Sequence, residues 1–228
     1  MTQPALLAIS HGTASLPGRA AIERLMDAVA RRLPDVTVRL GHVDVQQPDV
    51  AASLDAIPEA QPVVIVPLLL SAGYHVRVDL REKSAGRDDV TIAPALGPDA
   101  RLVEVLAARL ETLDSDGAAV VLAVAGSSDG RANDDCRTIG AMLAERLSRD
   151  VAVGFLAAAE PRLGDAVAAA GSGGAPVVVA DYLLAPGYFH DLAVRVAGGA
   201  AVARPLLDDD EPAASIVDLV VERYRSAR

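Results

Sequence analysis

The chain has no tryptophan, four tyrosines and two phenylalanines, so aromatic residues make up only 3% of its 228 positions. That scarcity removes the stacking platforms on which single-stranded nucleic acids are held. Lys83 is the only lysine, no run of basic residues occurs, and the formal net charge is -10. A basic face for a phosphate backbone is therefore missing too, and no nucleic-acid partner is expected. Overall charge sets only the far field, however, and a few arginines in a cleft can still hold a small anion.

Cys136 is the single cysteine. Its solitude excludes an internal disulfide and a cysteine-cluster metal site, so any metal must be held by histidine and carboxylate. No apolar stretch approaches the roughly 18 residues of a membrane span, and the N-terminus lacks the basic-then-apolar pattern of a secretory signal. Glycine-rich phosphate loops of the Walker or dinucleotide type are absent as well. The expectation is a cytoplasmic protein without a membrane partner.

What the chain does contain is alternation. Apolar runs near 5–10, 36–43, 62–70 and 90–93 predict strands, and amphipathic stretches near 19–33, 48–57, 74–84 and 98–113 predict helices. The series restarts at 118–124, continues through 151–156 and 176–184, and closes with a helix over about 211–226. This order predicts an α/β fold of doubly wound parallel sheets covered by helices on both faces.

The two series correspond residue by residue. Gly12 and Gly73 recur as Gly126 and Gly187 at a spacing of 114, and Pro48 recurs as Pro161 at 113. At this spacing Leu69-Leu70-Ser71-Ala72-Gly73-Tyr74 falls on Leu183-Leu184-Ala185-Pro186-Gly187-Tyr188. An internal duplication follows, with one similar α/β domain over 1–115 and a second over 116–228.

The duplication also separates scaffold from chemistry. His11 falls on Ala125, His75 on Phe189 and Asp44 on Ala157, whereas Gly12, Pro48, Gly73 and Tyr74 keep their counterparts. The turn-forming residues persist in both copies; the ionisable set occurs in one. In a sheet of order 2-1-3 the ends of the first three strands are neighbours at about 5 Å per strand. His11, Asp44 and His75 follow those ends, so they can converge on one ion or ligand. His42 lies two residues before Asp44 and is a reserve ligand or a structural residue; His190 stands one place after the counterpart of His75.

With His11-Gly12-Thr13 and Pro67-Leu68-Leu69-Leu70-Ser71-Ala72-Gly73-Tyr74-His75-Val76-Arg77-Val78-Asp79 assembled, the chain resembles the class II chelatases, specifically the two-domain sirohydrochlorin cobaltochelatase or ferrochelatase kind. The resemblance covers both copies. It implies insertion of a divalent metal (Co²⁺, Fe²⁺ or Ni²⁺) into a polycarboxylate tetrapyrrole without ATP, in siroheme or cobalamin biosynthesis, with the metal as substrate and no organic cofactor. His11 and His75 correspond to the family's two histidines, as catalytic and metal-binding residues. Asp44 lies where the family commonly carries an acidic residue, usually glutamate. Neutral imidazoles suit borderline divalent metals and can also accept protons.

Between the two halves the macrocycle would be lined by Ser10, Thr13, Ser71 and Tyr74, with Arg19 or Arg77 near its carboxylates. A fused pair of units has less need to dimerise, so a monomer is expected. Three readings compete at this stage. The first, a histidine phosphatase, is disfavoured because Ser10 stands where that fold uses a phosphate-gripping arginine before His-Gly. The others are a metal or tetrapyrrole carrier without turnover, and a chelatase for a different tetrapyrrole.

Overall fold

All six residues of β1 (Ala5–Ser10) are buried, and so are five of the six in β5 (Ala119–Val124). Continuous apolar runs of this kind mark parallel strands covered on both faces, and each becomes an inner strand of its own sheet. The computed structural model describes residues 3–71, 80–113 and 117–228. Among them are two four-stranded parallel sheets. One has β2 (Val38–His42), β1, β3 (Val63–Pro67) and β4 (Val90–Ile92) in that order; the other has β6 (Val151–Phe155), β5, β7 (Val177–Tyr182) and β8 (Ala201–Val202). Both have the expected 2-1-3 arrangement, extended by a fourth strand. None of the described helices is long and apolar enough to cross a membrane.

Local signals set the helix starts. In α1 (Leu16–Arg32) the Ser15 hydroxyl accepts from Gly18 N at 3.3 Å, and Pro17 lies in the first turn, where its missing N–H costs nothing. Helix α1 thus begins three residues earlier than the apolar pattern suggests, because caps and proline lie outside that pattern. Asp49 caps α2 (Val50–Asp55), Asp99 caps α3 (Ala100–Glu111) and Asp129 caps α4 (Gly130–Leu147) in the same way. The second half adds α5 (Leu163–Ala170), α6 (Tyr188–Val196) and α7 (Ala214–Ala227). Residues 80–84 are also helical; most of the helix expected over 74–84 lies outside the described residues.

The last helix of each half crosses to the other. Helix α3 packs on β7 and α4, while its counterpart α7 packs on β3 and α1. Polar contacts follow the exchange. The buried Tyr224 of α7 donates its hydroxyl to Pro4 O at 2.6 Å, and Arg223 Nε donates to Ala95 O at 2.9 Å. From α3, Arg109 reaches Asp208 at 2.8 Å, a carboxylate that Arg204 also holds. One apolar cluster accordingly runs from Leu6 and Val64 through Leu102 and Leu106 to Val120 and Leu219. The halves are separate units in sequence but share a core in space, so separating them would expose that apolar surface to water.

Candidate active site

Backbone ties join the loops after β1 and β2. Val43 N donates to Ser10 O at 2.9 Å and Asp44 N to His11 O at 3.1 Å, carrying the ladder past the strand ends. His11 and Asp44 are therefore neighbours across the sheet rim, both exposed. Gly12 makes this join possible. Its φ is +92°, and a Cβ there would lie 2.0 Å from Asp44 O, a position only glycine can occupy.

Side chains brace the same loop. Gln46 Oε1 accepts from Thr13 N at 2.8 Å, and Arg19 Nε donates to Thr13 O at 2.9 Å. Arg19, expected beside substrate carboxylates, is seen to fix the loop that carries His11. Val45 holds φ at +63°, an unfavourable conformation for a β-branched residue, directly after Asp44. Lys83 Nζ donates to Val43 O at 3.1 Å, bringing a cation to this loop.

Ser10, expected to line the cleft, is only 5% exposed. Its hydroxyl lies 2.8 Å from His42 Nδ1, the residue opposite it in the β1–β2 register. His42 is itself 4% exposed, so it supports the rim from beneath instead of serving as a reserve ligand. Burial, assisted by Arg19 and opposed by Glu23, holds its pKa below the ordinary value. The second half replaces this pair with apolar residues, Val124 opposite Phe155.

A test of the pair follows. Ser10→Ala leaves a buried ring nitrogen without its partner and is expected to cost about 1–3 kcal/mol in urea unfolding. Because the folded pKa of His42 is depressed, the unfolded chain takes up the proton first. The stability this group contributes is complete above the ordinary 6.5 and is lost as pH falls from there through its folded pKa. His42→Phe should flatten that acid-side slope; a slope equal to wild type would remove His42 as its source.

Thr13 is half-buried, and its hydroxyl sits close to the second half, 3.2 Å from where a Cβ on Gly187 would lie. Ser71, four residues after the end of β3, is half-buried. The Tyr182 hydroxyl donates to Leu70 O at 2.9 Å, tying that loop to the second sheet. Tyr74, His75 and Arg77 lie outside the described residues. The structure thus brings His11, Asp44 and Thr13 to one rim.

The second half reproduces the same loop geometry without the ionisable groups. Ala157 N donates to Ala125 O at 2.9 Å, Gly126 has φ +82°, and Ala158 has φ +56°. A Cβ on Gly126 would lie 2.0 Å from Ala157 O, as at Gly12 and Asp44.

The CbiX family model matches residues 5–113 and 119–202. The chain belongs to the CbiX family. Sirohydrochlorin cobaltochelatase of Sulfolobus acidocaldarius is 25% identical over 111 residues, covering 46% of this chain and 89% of that protein, a stretch close to one repeat in length. Among solved structures, sirohydrochlorin chelatase SirB from Bacillus subtilis subspecies spizizenii in complex with cobalt aligns with TM-score 0.80 at 16% identity, covering 99% of this chain and 95% of that one. SirB from Bacillus subtilis with Fe³⁺ gives 0.77 at 18% identity with the same coverage. CbiX, described as the terminal enzyme for biosynthesis of siroheme in denitrifying bacteria, gives 0.72 at 21% identity and covers 98% of this chain and 99% of that one. These structures share the two-unit α/β fold of this CbiX-family protein.

Within the second half lies a pair the sequence pattern does not reveal. Asp181 Oδ2 is 2.6 Å from His190 Nδ1. The only sequence signal is a histidine one place from the counterpart of His75.

Proposed function

We propose that the protein is a sirohydrochlorin chelatase, inserting Co²⁺ or Fe²⁺ into the tetrapyrrole without ATP, in siroheme or cobalamin biosynthesis. One observation supports this above all. The loops bearing His11 and Asp44 are hydrogen-bonded together at the sheet rim, while the same geometry in the second half carries Ala125 and Ala157.

His11 and His75 donate neutral imidazole nitrogens to the incoming metal, displacing part of its water, and Asp44 offsets the cation's charge. Gly12 and Arg19 hold the His11 loop in place, so the ligand geometry is set before the metal arrives. The macrocycle lies between the halves against Thr13, Ser71 and Tyr74, with Arg77 toward its carboxylates. The protein acts in the cytoplasm as a monomer, its shared core doing what a dimer interface would do.

The test is turnover. Purified protein, running as one chain mass by light scattering, is mixed with sirohydrochlorin and Co²⁺ or Fe²⁺ without ATP, and the absorbance change is compared with the spontaneous rate. Acceleration by catalytic amounts of protein is expected. Tight binding of metal or tetrapyrrole with no acceleration would replace the enzyme by a carrier.

A further inference from the structure

The second half holds a buried Asp–His pair that the metal-binding step leaves unused. Asp181 is the next-to-last residue of β7, paired in register with Ala123 and completely buried. It shares the sheet face of Val179, against which α5 and α6 pack. A carboxylate there loses its hydration and needs a partner. Its Oδ2 has one in His190 Nδ1; its Oδ1 has no hydrogen-bond partner among the described residues.

His190 stands in the first turn of α6, its side chain 22% exposed. The first-half residues at the same spacing are Pro67 and Val76, so the pair belongs to the second half alone. The connection that carries it abuts the His11 loop: a Cβ on Gly18 would lie 2.2 Å from Pro186 O, and one on Gly187 would lie 3.2 Å from Thr13 Oγ1. The start of α6, three residues before His190, thus adjoins the loop of His11.

Metallation must remove two pyrrole protons as the metal enters. An imidazole nitrogen whose lone pair is given to a metal cannot take a proton at that atom, so a base off the metal would speed proton removal beyond what solvent provides. With its Nδ1–H donated to Asp181, the His190 ring presents Nε2 as an acceptor.

We propose that His190, oriented by Asp181, accepts a pyrrole proton on the second-half wall of the cleft; this rests on the chelatase reading above. The N–H bond breaks, its electron pair stays on the pyrrole nitrogen and bonds the metal, and the proton passes to Nε2 and then to solvent. No oxidant or reductant is involved.

The Asp181 hydrogen bond raises the proton affinity of His190 above the ordinary 6.5 against the opposing effect of burial. The titratable and charged groups on the packed elements are Asp181 on β7, whose carboxyl pKa burial pushes up against the opposing hydrogen bond from His190; Asp191 and Arg195 on α6; and Asp165 on α5.

Steady-state kinetics with sirohydrochlorin and Co²⁺ across the neutral and mildly alkaline range test the assignment. His190→Gln is expected to lower kcat about 100-fold, with KM and Co²⁺ affinity unchanged, and added imidazole should restore part of the rate. Asp181→Asn should move the acid limb of kcat to lower pH, because the group that raises the ring's proton affinity is gone. If wild type turns over and His190→Gln keeps its kcat at every pH, the proton role is wrong while the chelatase reading stands. A loss of kcat accompanied by lost Co²⁺ binding, with no rescue by imidazole, would make the pair structural and likewise overturn the proposal. Failure of wild type to turn over would overturn both readings.

Discussion

His11→Ala is expected to lower the rate of metal insertion by about 10²–10⁴-fold while leaving the fold intact, and His75→Ala to do the same. The His11 ring is exposed at the rim, and the residue's structural contribution is its backbone carbonyl, which accepts from Asp44 N. Alanine keeps that bond. The molecule contains the control: Ala125 occupies the corresponding place and its carbonyl accepts from Ala157 N at 2.9 Å. Unfolding free energy should therefore change by about 0.5 kcal/mol or less. Calorimetric titration with Co²⁺ should show the lost affinity beside the lost rate. A variant that binds Co²⁺ and turns over as wild type does would remove His11 from the site.

Gly12→Ala and Gly126→Ala form a matched pair with a different outcome. Each glycine has a positive φ, +92° and +82°, and in each a Cβ would meet a carbonyl oxygen at 2.0 Å, Asp44 O in one and Ala157 O in the other. Both substitutions combine backbone strain with a contact that forces the adjoining loop away. Each is expected to cost on the order of 3 kcal/mol in denaturant unfolding. Only Gly12→Ala moves the loop bearing Asp44, so only it should reduce turnover under conditions where both variants remain folded. Equal losses of activity would show that the rim is sensitive to global stability, and would count against an asymmetric site.

The meeting of the His11 and Asp44 loops at one rim was legible in the sequence because the duplication supplied an internal comparison. The loop geometry gives the reason Gly12 is retained where His11 is not: both copies make the same close backbone approach, and neither needs a histidine to make it. Ser10 shows where such reading fails. A serine at a strand end beside a histidine loop reads as cleft lining, yet the β1–β2 register places it against His42 in the interior. Whether a polar side chain at a rim faces outward or inward depends on strand pairing, to which the local pattern is blind.

By itself the sequence determined the alternation of strands and helices, the two parallel sheets, the repeat and the loops after the strands that carry His11 and Asp44, because hydrophobic periodicity and turn residues act locally. Tertiary structure alone decided two things. The exchange of α3 and α7 was hidden because the corresponding helices present similar apolar faces, and only the geometry of the connections determines which sheet buries each. The pairing of Asp181 with His190 was hidden because it depends on how α6 folds back over the end of β7, which brings two residues nine positions apart to 2.6 Å, the carboxylate fully buried and the imidazole partly exposed.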